Sequence, residues 1–479
     1  MIRLLVVAWM LIPGAVAMAL ALPGTAQAAI LNVNNGVSCS DVTGTPYCTI
    51  PAAVAAAVAG DTVDVAAGTY TGRVLITNSG ASGAPITIIT SAGATVKSAG
   101  RGFDLSGVSW ITVKGFLILD TGSDGIRCVL CSNVTLRGNK VRNAGGRGIL
   151  INNSTDMKLI RNRVLDSKFT GIDANGSARV RIFGGFVARS GLRILGETYK
   201  GIKFSGTTAS RIVRAKVFDN SDSGIYLVNG STGIFIKNVI AHHNARGFER
   251  VAAGIETRSG KTIIRGSIAY ANEDSGISMR WGGSDALIVN NITYGNDDHG
   301  IDALASPNPR IFYNSVYKNA TSGINVEGNS TGATIMNNIS HDNGINSTRT
   351  EGDIRVTISS APSAVSNYNI VFSSVGGRIY HWNGTYYRSL KTLHADYPGV
   401  EVNGIQADPQ WADPTLNDFH LTSGSPAIDS AKSDVLLTPL GSHDAAGNAR
   451  CDDSLTPNTG GGPNPYYDRG AFEYIVNCP

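Results

Sequence analysis

Asp297, Asp298, His299 and Asp302 crowd into the stretch Asn-Asp-Asp-His-Gly-Ile-Asp. Three carboxylates and an imidazole at that density oppose one another unless a proton, a metal ion or a guanidinium compensates. Such a set can hold Ca2+ through carboxylate oxygens or move protons as general acid and base. Asp274 precedes Gly276 as Asp298 precedes Gly300, so Asp274, Asp297 and Asp298 are the candidate Ca2+ ligands. A second charged set surrounds two other Gly-Ile pairs: Glu256 and Arg258 after Gly254, then Arg280 and Trp281 after Gly276. Planar guanidinium forks bind carboxylates bidentately.

Glycine followed by an apolar residue recurs at Gly102, Gly125, Gly148, Gly171, Gly201, Gly224, Gly254, Gly276, Gly300 and Gly323. Most steps are 22 to 24 residues, and those ending at Gly201 and Gly254 are 30. A fixed period of this size marks a solenoid. A second apolar stretch in each period is followed by Asn139, Asn162, Asn238, Asn290, Asn314 or Asn337. Short alternating strands broken by Gly and Asn turns exclude a helical repeat. They predict an all-β parallel β-helix of about ten rungs, each roughly 4.8 Å from the next, with Asn side chains laddered at the turns. Thr49 to Tyr70 reads as an amphipathic helix and a strand that cover the open end. The expected division is a signal peptide over 1–28, a cap with first strands over 29–98, the β-helix over 99–365 and a C-terminal module over 366–479.

With the residue after each Gly turned inward, the next points outward. That outward column reads Asp104, Arg127, Leu150, Asp173, Lys203, Tyr226, Glu256, Ser278, Asp302, Asn325. A second column holds Arg258, Arg280, Leu304 and Glu327. Glu256, Arg258, Arg280 and Asp302 are thereby placed on one face, the expected catalytic set together with His299. Trp281, Lys203, Tyr226 and Glu327 are the expected substrate contacts. Strict alternation turns His299 inward, and polar outward columns also serve solubility.

The start of the chain is basic at Arg3, apolar from Leu4 to Leu22, and ends in Ala26-Gln27-Ala28, the pattern of a secretory signal peptide. No later stretch is apolar enough to span a bilayer. Six cysteines pair by proximity as Cys39 with Cys48, Cys128 with Cys131 and Cys451 with Cys478, a disulfide pattern suited to export. Cys128 and Cys131 also have redox spacing. From Arg127 to Lys216 eighteen Lys and Arg stand against four acids. Such a stretch attracts an anionic partner, and for an exported chain an acidic polysaccharide fits better than nucleic acid. A secreted monomer acting on that polymer is the expectation.

The Gly-Ile ladder, the Asn turns and the Thr49 to Tyr70 start resemble secreted right-handed parallel β-helix proteins. The segment after about Phe419 resembles a C-terminal module common among them. The stretch from Gly254 to Ser267, followed by Ser275 to Gly283, is similar to the centre of the family-six polysaccharide lyases, which include alginate lyases and chondroitinase B. That resemblance puts Arg258 at the position of a catalytic Lys and Arg280 at that of a catalytic Arg. Trp281 replaces a His, and Val251 and Ala253 stand where those enzymes carry a calcium-binding Glu pair. Asn-Asp-Asp-His-Gly resembles a rung of the mannuronan epimerases, with His299 matching their active-site His, Asp298 replacing an Arg and Ala253 replacing a catalytic Tyr. The same acidic turn is loosely similar to the calcium-binding aspartates of family-nine pectate lyases.

This fold hosts unrelated chemistries, so three functions stay open. A lyase performing β-elimination on a uronic acid would neutralise the sugar carboxylate with Arg258 and Arg280. Its base would be His299, because arginine resists deprotonation, and Ca2+ on the aspartates would add charge. A glycoside hydrolase would draw its acid and base from Glu256, Asp274, Asp298 and Asp302. A non-catalytic surface or carbohydrate-binding protein would use the same wall without chemistry.

Overall fold

The computed structural model describes residues 28–192, 199–245, 252–345, 347–436 and 440–476. The expected signal peptide falls on residues outside these, apart from Ala28. Three sheets of 14, 14 and 13 strands, parallel except for the last strand Thr385–Tyr387, wind into one solenoid. The front sheet, from Val74–Ile76 to Thr385–Tyr387, carries the Gly-Ile strands. The side sheet runs from Ile30–Val33 to Val365–Asn367, and the back sheet from Gly68–Thr71 to Ile370–Phe372. Some thirteen turns thus replace the expected ten. Strands before residue 99 and after residue 365 continue the ladder without the Gly-Ile signature: Phe103 stacks on Val74, and Tyr380 on Ile354.

The Gly column exists because rungs approach too closely there for a side chain. A Cβ on Gly276 would lie 2.9 Å from Gly300 O and 2.7 Å from Asn296 Nδ2. The following residues Ile126, Ile149, Ile172, Ile202, Ile225, Ile255, Ile277, Ile301 and Ile324 are buried and stacked in register, and Ile354, after Asp353, continues the column. The Asn turns divide into two columns. Asn139 and Asn162, and further on Asn291, Asn314, Asn338 and Asn369, are buried and pass side-chain bonds from rung to rung. Asn238, Asn290 and Asn337, expected in that ladder, instead precede it at φ of 53, 55 and 60°. Asn tolerates this left-handed region, which a turn requires. A separate ladder at the next corner links Asn220, Asn244, Asn272, Asn296, Asn319 and Asn343.

The helix Ile50–Ala56, capped by the Thr49 side chain on Ala52 N, buries Ile50, Ala53 and Val54 over the first turn. The C-terminal region does not stand apart. Trp411, Phe419, Leu421 and Ile428 pack on Ile292, Tyr317, Ile339 and Ile370 of the back sheet. Leu436 and Tyr467 pack on Leu287, Val289, Phe312 and Tyr313 of the side sheet. Cys39 and Cys48 form a disulfide. Cys128 and Cys131, expected as a pair, are buried free thiols. Strand register holds Cys128 inside the core between Leu105 and Ile151. The third expected pairing involves Cys478, outside the described residues. Among the described residues no helix is long and apolar enough to cross a membrane.

Candidate functional site

The front sheet stacks its outward column in the expected register, Tyr226 on Glu256, Ser278, Asp302 and Asn325. Position does not bring exposure. Glu256 and Asp302 are each 1% exposed and Arg280 is 4% exposed. Arg280 Nη2 donates to Asp274 Oδ2 at 2.6 Å and Nε to Ser278 Oγ at 2.9 Å, with Asp302 Oδ2 3.6 Å from Nε. Asp274 and Ser278 thus hold the Arg280 side chain inside the wall, whereas the expected pairing of Arg258 with Arg280 on a sugar asked for two open forks.

Arg258 is different. Its Nε donates to Glu256 Oε1 at 2.7 Å, and Ser223 Oγ donates to the other Glu256 oxygen at 3.0 Å. The guanidinium lies 4.5 Å over the Trp281 ring and 5.2 Å from the Tyr226 ring. Trp281, at φ 37° and 55% exposed, stands out from the wall to meet it. Among the described residues the Arg258 Nη groups make no hydrogen bond, and the side chain is 30% exposed. Tyr226 continues into a groove of about 500 Å³ lined also by Arg147, Phe169, Asp173, Lys200 and Lys203. Arg147 is bonded to Asp173 at 2.8 Å and Lys200 to Asp222 at 2.7 Å.

The turns before the Gly column supply the titrating groups. Burial pushes the Asp274 carboxyl up to about 7, against the pull of Arg280. Asp274 hydrogen-bonds Asp298 on the next rung. Burial acts upward on Asp298 too, but His299, Thr321, Asp274 and Arg349 outweigh it and leave this carboxyl low. Burial and the shared hydrogen bond thus push the two carboxyls in opposite directions, Asp274 up and Asp298 down. Burial also raises Asp302.

His299 departs from strict alternation because the turn rotates it onto the wall, where it is 5% exposed. Its Nδ1 lies 2.6 Å from Thr321 Oγ1 and 3.2 Å from Ser322 O. Thr321 gives its one proton to Asp298 Oδ1 at 2.6 Å. In the neutral ring, two acceptors on Nδ1 assign that nitrogen the proton and put the lone pair on Nε2. Nε2 lies 3.7 Å from Asp298 Oδ1.

The three residues brought within metal-ligand reach are His299, Asp302 and Glu327, their ligand atoms within 4.8 Å of one another. The expected Asp274, Asp297 and Asp298 are not such a group among the described residues. The residues present do not fit Ca2+, which takes six to eight oxygen ligands. Arg280 lies between Asp274 and Asp302, and Arg355 Nη1 holds Glu327 Oε2 at 2.6 Å.

Glu273, Thr321, Arg349 and Arg355 were not singled out from sequence. Burial raises Glu273 to about 7. It occupies the turn position of Asp297 one rung earlier, each amide bonding an Asn carbonyl of the preceding rung, so comparing Asn-Glu-Asp-Ser-Gly with Asn-Asp-Asp-His-Gly would have found it. Arg349 Nη2 reaches Asp298 Oδ1 at 3.0 Å from a loop with no sequence signal.

A coil of three parallel sheets, with a charged wall on one of them, defines a parallel β-helix protein. The family model described as right handed beta helix region matches residues 59–184, 124–250 and 248–390, and the chain belongs to that family. No curated protein matches it in sequence. Among solved structures it is similar to the alginate lyase AlyF-OU02, at 14% identity and TM-score 0.54 over 83% of this chain and 91% of that one. A mutant of the PL6 family alginate lyase AlyGC gives 14% identity and TM-score 0.52 over 85% of this chain and 60% of that one. The pectate lyase Pel9A gives 18% identity and TM-score 0.45 over 94% and 97%. At these identities the likeness is one of fold.

Proposed function

We propose that the protein is exported and cleaves an acidic, uronic-acid polysaccharide such as alginate or pectate by β-elimination. The observation that supports this reading is Arg258, held between Tyr226 and Trp281 with no hydrogen bond from its Nη groups among the described residues, on the wall that also carries the hydrogen-bonded Asp274–Asp298 pair and His299. The Arg258 fork pairs with the sugar carboxylate and stabilises the charge that grows there. His299 Nε2 takes the proton from the carbon beside that carboxylate. The electron pair left behind forms the ring double bond as the bond to the leaving oxygen breaks. The Asp274–Asp298 pair returns a proton to that oxygen, delivered through Asp298, whose side chain is 18% exposed. Arg280 positions the pair. Trp281, Tyr226, Lys203 and Glu327 line the path of the polymer.

A hydrolase is less well supported. Two catalytic carboxyls of a glycosidase stand roughly 5 to 9.5 Å apart around the bond they cleave, whereas Asp274 and Asp298 share a hydrogen bond and Glu256 and Asp302 are each only 1% exposed. The test is incubation with alginate, pectate, chondroitin and heparan while ultraviolet absorbance follows the unsaturated sugar. Cleavage with saturated ends alone, or none on any of the four, would reject the reading.

A further inference from the structure

The basic stretch seen in the sequence resolves into two faces. Arg147, Lys200 and Lys203 line the front groove. Others stack on the opposite corner, where side and back sheets meet. On the side sheet Lys158, Arg181 and Arg211 are in register on consecutive rungs. On the back sheet Lys140 pairs with Arg163, and Phe186 with Lys216. Arg214 stands on the turn between, at φ 56°.

Like charges directly opposite each other on neighbouring strands destabilise a sheet, and these lie roughly 4.8 Å apart. Acids could relieve them, as Asp156 does for Arg179 at 2.7 Å. Asp156 also attracts Arg181 and Lys158 from a distance, but Lys158, Arg163, Arg181, Arg211, Arg214 and Lys216 make no ion pair among the described residues, and all six are exposed. Two are instead braced by rings, Arg163 at 5.7 Å from Phe186 and Arg214 at 5.7 Å from Phe183.

The same columns change character farther along. Lys158, Arg181 and Arg211 are followed by Phe235, Ile263 and Leu287. Lys216 is followed by Ile240, Ile268 and Ile292. There the C-terminal region covers the corner, packing on Leu287 and Ile292. One corner is thus apolar where protein covers it and cationic where it is left open.

We infer that this open corner is a second binding surface, separate from the groove, for a linear acidic polysaccharide. The charges run in columns along a convex edge, which suits a polyanionic chain lying along the solenoid axis. A flat anionic membrane would meet only a tangent line of the same edge. The surface shares with the proposed function the acidic polymer, but none of the groove residues.

The test is binding of alginate and polygalacturonate, with neutral dextran as control, by affinity electrophoresis. The variants are Lys158→Glu/Arg181→Glu/Arg211→Glu and, separately, Arg258→Ala. The exposed triple variant should keep the wild-type circular dichroism and bind at least about tenfold more weakly, with wild-type binding fading as salt rises. Arg258→Ala should still bind the polymer. Failure of Arg258→Ala to cleave concerns the groove alone, so the two readings fail separately. Wild-type affinity in the triple variant overturns the inference. So does a wild-type protein that binds anionic vesicles or DNA but no acidic polysaccharide.

Discussion

Arg280 Nη2 on one rung lies 2.6 Å from Asp274 Oδ2 in the turn before the same strand, and both side chains are shut away from solvent. A buried ion pair contributes little over apolar packing, but breaking one strands a charge. Arg280→Met should therefore destabilise the protein by about 3 to 5 kcal/mol, read from denaturant unfolding. A cost under about 1 kcal/mol would show that the carboxylates do not depend on this guanidinium.

The raised Asp274 carboxyl makes stability depend on pH. Its folded value of about 7 exceeds the ordinary 3.8. Between those values the folded chain holds a proton that the unfolded chain has lost, so this group's contribution falls as pH rises from about 4 to about 7. Asp274→Asn should flatten that slope in unfolding measured across the window. An unchanged slope would assign it to Glu273, Asp429 or Glu473, each raised to about 7 by the same cause.

Arg258→Lys keeps the charge but loses the planar fork and its stacking on Trp281. Turnover of the true substrate should drop by roughly a hundredfold, the scale of losing one donor to a developing oxyanion. Arg388→Lys, on an exposed residue bonded to Gly376 O, should leave turnover as it is. Equal rates in the two variants would remove Arg258 from the site.

Because guanidinium groups already compensate the wall, chelation should change neither the unfolding temperature nor the rate of cleavage. A fall in either that added Ca2+ restores would reinstate a calcium site on these carboxylates.

Cys128 and Cys131 should resist alkylation in the native chain and react once it is unfolded, without reductant. Peptide mapping that finds them joined would restore the pairing suggested by their spacing.

The solenoid was legible in the sequence because a stacked rung repeats one set of local demands. A Gly at each close approach, an inward Ile after it and an Asn near the turn are all local, and the register of Glu256, Ser278 and Asp302 followed from counting. The fate of those side chains did not follow. Alternation fixes which way a residue points, but solvent access depends on what neighbouring rungs put beside it. Arg280 points outward and is still buried, because Asp274 and Asp302 close on it from two rungs. Strict alternation alone would turn His299 inward, and the turn instead brings it against Thr321, which is 22 residues away in sequence. The Asn column split because one turn asks for a left-handed residue and then for a buried hydrogen-bonding one. The sequence by itself determined the coil and the face that carries the charges. Only the tertiary structure decided which charges are shut away against one another, like Arg280, and which, like Arg258, stay partly open to solvent, since pairing is set by distances between rungs that no local pattern records.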